Sequence, residues 1–210
     1  MPAHYGTGYV GGRRALTAAR SFLLMGLTAT LMAVAATSSG AAHPHVFVEY
    51  SFDLLFTNDG LHGLRITWVF DEFYSSLLRQ TYDVNRDGQF SPEETRRLEQ
   101  EQFKYFRAFH YNTDILLNGT PVPVPEARDF QPSVRDQRVA FTFSVLLSAL
   151  GQREGTLEVI ADDPDYYFAM AYDARTPARA VPTGSAHVTC ARSKERQPSK
   201  PLGVTCAFRR

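Results

Sequence analysis

Val46-Phe47-Val48-Glu49-Tyr50-Ser51-Phe52-Asp53-Leu54-Leu55-Phe56 alternates with a period of two. Val46, Val48, Tyr50, Phe52, Leu54 and Phe56 share one face, and Glu49, Ser51 and Asp53 lie on the other. That is the pattern of a strand buried on one side. Asn58-Asp59-Gly60 follows as a turn signal, and Leu64, Ile66, Trp68 and Phe70 then alternate with Arg65, Thr67 and Asp71. The two runs read as a β-hairpin with aligned apolar faces.

Beyond the hairpin the period changes. Glu72–Tyr82 has no Gly or Pro, and Phe73 and Leu77 fall at helical spacing. Residues 92–111 are strong helix formers, with Leu98, Gln102, Tyr105, Phe106 and Phe109 along one side. Ser91, Pro92 and Glu94 resemble a helix start with Pro at its first position. Strand signals then return. Ile115–Leu117 meets the tight-turn pair Asn118-Gly119, and its partner carries Pro121 and Pro123, which confine it to a sheet edge. Val139, Phe141, Phe143 and Val145 alternate; Leu157–Ala161 is a further short strand. Val188 and Cys190 share a parity, as do Val204, Cys206 and Phe208. The expected class is α+β: an antiparallel, sandwich-like sheet domain over 43–210, with one EF-hand-type helix–loop–helix inserted at about 72–111.

The stretch between the two expected helices carries the strongest motif. Asp83-Val84-Asn85-Arg86-Asp87-Gly88-Gln89-Phe90-Ser91-Pro92-Glu93-Glu94 fits a 12-residue calcium loop at each diagnostic position. Asp83, Asn85 and Asp87 occupy positions 1, 3 and 5, and Gly88 permits the bend at 6. Gln89 offers its carbonyl at 7, Ser91 stands at 9 and Glu94 closes the set at 12. Calcium takes about 6–8 hard oxygen ligands, and a tight loop points alternate side chains inward to supply them. Phe90 is expected to anchor the loop to the core. An Asx-rich turn that binds nothing is the structural alternative. A single loop argues against a paired, groove-opening sensor.

The N-terminal 42 residues have a composition of their own. Arg13, Arg14 and Arg20 are their charged side chains, Phe22–Ala36 is an apolar run, and small residues follow up to Ala42. Basic, apolar and small-residue regions in that order are expected to be a secretory signal peptide, cut near Ala42. Arg13-Arg14 resembles a twin-arginine signal only weakly. Over the 210 residues, Lys+Arg and Asp+Glu are each 22, so no basic excess suggests a nucleic-acid partner. With 44% apolar and 21% charged residues the composition is that of a folded domain. The expected location is periplasmic or secreted, with no integral membrane segment after processing.

In that setting Cys190 and Cys206 are expected to form a structural disulfide. The processed chain would begin at or beside His43-Pro44-His45. Residues two apart on extended backbone point the same way, and imidazole suits Zn, Cu, Ni and Co. Two histidines are too few for a specific site. His187, opening a late strand, is the better third candidate, and His62, at the far end of the hairpin, is a poor one. Asp162-Asp163-Pro164-Asp165-Tyr166-Tyr167-Phe168 reads first as a surface turn entering a core strand. A second reading makes its carboxylates and phenols the wall of a ligand cleft. Asp71 and Glu72 read as the acidic start of the first helix. No G-x-S-x-G, P-loop or H-E-x-x-H is present, and nothing points to an enzyme.

Four segments together resemble a known family: Ala42–Phe47, Ile66–Ser75, the Asp83–Glu94 loop and Asp163–Phe168. They are similar to uncharacterised bacterial periplasmic proteins described as periplasmic components of an ABC-type transport system. Members of that family often stand beside, or are fused to, nickel/cobalt-type permeases. The resemblance covers nearly all of 42–190 and is lost in the basic stretch 191–210. It implies export and an association with transition-metal handling. The expectation is therefore an exported, calcium-stabilised accessory protein that binds or delivers Zn, Ni, Co or Cu for a membrane permease. The alternative is a calcium-dependent structural or interaction module without a transition metal.

Overall fold

The computed structural model describes residues 45–147, 151–165, 167–173, 175–181, 186–192 and 203–210. All of them fall in the unit His43–Arg210. The segment 1–42, expected to be a leader, lies outside the described residues, as does His43.

The alternating hairpin forms as β1 (Val46–Thr57) and β2 (Gly60–Phe70), paired antiparallel. Tyr50 faces Trp68, Phe52 faces Ile66 and Leu54 faces Leu64 across the pair, and all six are buried. Each such side chain contributes about 1.5–3 kcal/mol when removed from water. Gly60 closes the turn at φ 133°, where a Cβ would stand 2.4 Å from the Gln152 carbonyl oxygen. That position needs glycine on both counts.

The first sheet runs β5-β6-β2-β1-β8, with β9 also on β1. Its outer members are β5 (Arg128–Arg135), β6 (Arg138–Leu146), β8 (Phe168–Tyr172) and β9 (Ala178–Val181). The expectation of a wholly antiparallel sheet is corrected here: β8 and β9 both run parallel to β1. Parallel neighbours need a long crossover. In this chain the crossover from β1 to β8 includes β3 (Thr113–Leu117), β4 (Thr120–Val122) and β7 (Glu154–Ala161). Those three strands belong to the second sheet, β10-β11-β7-β3-β4, in which every pairing is antiparallel. β10 (His187–Arg192) and β11 (Val204–Arg209) complete it. The proline-bearing β4 is at its edge, as its sequence requires. Cys190 pairs with Cys206 across β10 and β11, and the two form a disulfide.

The apolar faces of the two sheets share one buried core. Tyr50 Oη and Thr113 Oγ1 stand 3.0 Å apart, and the Phe56 and Phe208 ring centroids 5.7 Å, so β1 touches both β3 and β11 of the other sheet. The class is α+β with a sandwich-like arrangement and few helices.

The insertion after β2 comprises α1 (Glu72–Tyr82), a loop, and α2 (Pro92–Glu101). Asp71 caps α1, accepting from Tyr74 N at 2.8 Å with one oxygen and from Phe47 N at 2.7 Å with the other. Its buried face differs from the one expected. Phe73 and Leu77 are 80% and 51% exposed, while Ser75, Leu78 and Tyr82 are buried. The cause is Ser75, whose hydroxyl donates to Phe70 O and accepts from Val139 N at 2.9 Å. With Ser75 held against β6, Leu78 and Tyr82, three and seven residues on, turn inward with it. The second helix also stops sooner than expected. After Glu101 the chain tightens into a 3-10 segment, Phe103–Asn112. Phe103 and Phe106 are buried there, against Phe130 at 4.2 Å and Trp68 at 4.8 Å, while Tyr105 and Phe109 face outward. A three-residue spacing is what a 3-10 turn aligns. His110, Tyr111 and Asn112 then adopt left-handed backbone, φ 50°, 54° and 48°.

Candidate functional site

The loop between α1 and α2 is closed on itself by hydrogen bonds from its own backbone. Asp83 accepts from Asp87 N at 3.1 Å and from Gly88 N at 3.0 Å. Asn85 Oδ1 accepts from the same Asp87 N at 3.0 Å, which brings two side-chain oxygens onto one amide. Asp87 accepts from Gln89 N at 2.8 Å and from Asn85 Nδ2 at 2.9 Å. Glu94 reaches back from the first turn of α2. One of its oxygens accepts from Val84 N at 2.7 Å and Asn85 N at 3.3 Å, the other from Ser91 N at 2.8 Å. Ser91 Oγ accepts from Glu94 N in return, a capping box. The bond to Ser91, joined by those to Val84 and Asn85, holds the Glu94 carboxyl below its ordinary range.

Each residue expected of a calcium loop therefore stands in one short turn, with Gly88 at φ 83° and open space where a Cβ would point. The donor set is all oxygen, as a hard divalent cation requires. Phe90 packs against the core as expected. The carboxylates are turned onto amides: among the described residues, no three His, Cys, Asp or Glu side chains are gathered as a metal site.

The first helix and the 3-10 segment also line a cleft of about 480 Å³. One wall comes from the residue that caps α2 and from the 3-10 segment: Gln102, Tyr105, Phe106, Phe109 and Asn112. Tyr74 of α1 and the segment Asp163, Asp165, Tyr167 and Phe168 form the rest. That segment is a turn whose residues also face the cleft. Asp163 is buried and accepts from the backbone of Asp165, Tyr167 and Phe168 at 3.1, 3.0 and 2.7 Å, so it is a turn-closing residue. The same turn lines the cleft. Burial pushes the Tyr74 phenol up to about 12, with Tyr167, Tyr82 and Asp71 adding to it.

The candidate histidines are not all brought together. His45 is exposed at the start of β1; its N donates to Tyr167 O at 2.9 Å and its ring lies 5.1 Å from that of Tyr167. It thus stands beside the cleft. His187 pairs with Arg209, which pairs with Glu154 at the first residue of β7. Tyr167 follows the last residue of β7, Ala161, so the two histidines lie at opposite ends of that strand, roughly 23 Å of extended chain. Among the described residues no helix is long and apolar enough to cross a membrane.

The family model described as Protein of unknown function (DUF1007) matches residues 28–202. The chain belongs to that family. The match spans both sheets up to β10, the helix–loop–helix and the cleft, and leaves out β11. No curated protein matches the sequence. Among solved structures, AChBP from Bulinus truncatus is similar at a TM-score of 0.36 and 13% identity, covering 80% of this chain and 88% of that one. A likeness of that degree carries no argument here.

Sequence reasoning found the loop and one wall of the cleft. It missed Tyr74 and Asn112. Tyr74 was hidden by the wrong helix face, and Asn112 by the break from helix to left-handed backbone. The signal available in the sequence was the aromatic density of Phe103–Tyr111 together with a second aromatic run at Tyr166–Phe168.

Proposed function

We propose that this chain is an exported, calcium-stabilised binding module, in which the Asp83–Glu94 loop takes Ca²⁺ and thereby fixes the two helical walls of the cleft. The observation that carries this reading is Glu94, whose carboxylate draws both ends of the loop together through Val84, Asn85 and Ser91. The residues that would hold the ion are Asp83, Asn85, Asp87, Gln89 through its carbonyl, Ser91 and Glu94. Three carboxylates in so short a turn repel one another, and a divalent cation removes that repulsion. Tyr74 belongs to α1 and Gln102 follows α2, so tightening the loop between them steadies the cleft. The Cys190–Cys206 disulfide supports an oxidising compartment, where a leader over 1–42 would deliver the chain.

Calorimetric titration of the purified processed chain tests the calcium step. One equivalent of Ca²⁺ is expected to bind with a dissociation constant of about 10⁻⁴–10⁻³ M, the range of extracellular sites. Asp83→Asn with Glu94→Gln is expected to abolish it. No heat above dilution at millimolar Ca²⁺ contradicts the reading.

A second reading keeps the transition-metal role: His43 and His45 capture Zn, Ni, Co or Cu for a nickel/cobalt-type permease. What favours it is the exposed His45 imidazole at the chain's entry into β1, beside an aspartate-bearing turn. His187, at the other end of β7, would serve such a site only from a second molecule. A rise in melting temperature with those metals, lost in the His43→Ala/His45→Ala variant, supports it; no rise contradicts it.

A further inference from the structure

The polar equipment of the cleft is specific enough to name a ligand class. Asn112 lines it at 3% exposure and presents a side-chain amide to that wall. An amide both donates and accepts, so the position suits a group that does the same. Gln102 lines the same wall with a second amide. Tyr74 adds a phenol, again a donor and an acceptor. Above these polar groups stand three rings exposed well beyond what packing needs: Tyr105 at 63%, Phe109 at 46% and Tyr167 at 47%.

We infer that the cleft binds a neutral saccharide, its ring C–H face laid on Tyr105, Phe109 or Tyr167 and its hydroxyls paired with Asn112, Gln102 and Tyr74. This rests on the reading of the chain as a binding module, but not on calcium occupancy. Aromatic faces carry partial negative charge and attract the weakly positive C–H groups of a sugar. Each hydroxyl donates and accepts, which matches amides and phenols and little else. The volume lies within the range of small-ligand sites, about 300–1,000 Å³.

The same inventory disfavours the competitors. No Lys or Arg lines the cleft, and Asp163 and Asp165 do, so an anion is repelled. The nearby Lys104 ammonium stands 5.2 Å from the Tyr105 ring rather than in the cleft lining. A wholly apolar ligand would bury three polar side chains unpaired. An organic cation would be satisfied by rings and Asp165 alone, and would leave the donors of Asn112, Gln102 and Tyr74 unmatched.

The test is a ligand-observed NMR and calorimetric titration of the processed chain with maltose, cellobiose and N,N′-diacetylchitobiose, each with and without Ca²⁺. Choline chloride and trialanine serve as counter-probes. At least one disaccharide is expected to show saturation transfer from aromatic protons. Tyr105→Ala and Asn112→Gly are expected to weaken it by about tenfold or more; glycine keeps the left-handed backbone at 112 while removing the amide. Phe73→Ala, an exposed ring outside the cleft, is expected to change nothing. Absence of transfer from all three sugars, transfer that survives both cleft substitutions, or binding of choline or trialanine in their place overturns the inference. Failure here with calcium still binding leaves the calcium reading standing; the reverse result separates the two equally well.

Discussion

The Glu94 carboxylate serves the loop and the helix together: it accepts from Val84, Asn85 and Ser91, and it completes the capping box of α2. Those amides hold it below the ordinary carboxylate range. A carboxylate whose folded pKa is depressed adds stability above its unfolded pKa, about 4.3, and loses it as pH falls through the folded value. Wild type is therefore expected to lose stability on acidification below that range by more than Glu94→Gln does. The gap between the two is expected to be widest at neutral pH and to narrow towards pH 3, measured as melting temperature against pH in chelator. Parallel curves contradict the role given to Glu94. At this scale the sequence was most informative. Residue type and spacing in a short loop are local properties, so the loop of Asp83, Asn85, Asp87, Gly88, Ser91 and Glu94 is legible in the sequence. Asn112 could not, because its left-handed backbone is imposed from outside: Asp162 N donates to Asn112 O, Ala127 N to Tyr111 Oη, and Thr113 Oγ1 to Tyr111 O.

Among the elements, those whose pattern depends on one buried face were legible. β1, β2 and β6 alternate because one side of each meets the core, and a slip of one residue would turn every apolar side chain outward. β9 was not, because four residues are too few to show a period; β8 is the strand expected after the Asp162–Phe168 turn, but its parallel pairing with β1, far back in the chain, leaves no local signal. α1 was found but its face was misjudged, since the hydroxyl of Ser75 outweighs the apolar pair Phe73 and Leu77. Its start rests on Asp71, which joins the helix to β1 through Tyr74 N and Phe47 N. Asp71→Ala is expected to cost about 1–2 kcal/mol, the upper part of the range for a lost N-cap. Urea unfolding at unchanged m-value checks this. A loss below about 0.5 kcal/mol would mean that α1 is held by packing alone.

For the molecule as a whole, two sheets supply the frame, and the insertion supplies Tyr74, Gln102 and the 3-10 wall of the cleft. The Cys190–Cys206 bridge ties an edge strand to that frame. Replacing both cysteines by serine is expected to cost about 3 kcal/mol, or roughly 6–12 °C in melting temperature. Scanning calorimetry reads this directly, and an unchanged transition would show that β10 adds nothing to the cooperative unit. Calcium is proposed to order the loop and, through it, the cleft. Hydrogen–deuterium exchange of the processed chain, with millimolar Ca²⁺ and with chelator, measures that most directly. The expected result is slower exchange over 83–94 together with 102–112, and little change in β1, β2 and β6. Identical exchange with and without Ca²⁺, or protection confined to residues outside 72–112, would contradict it.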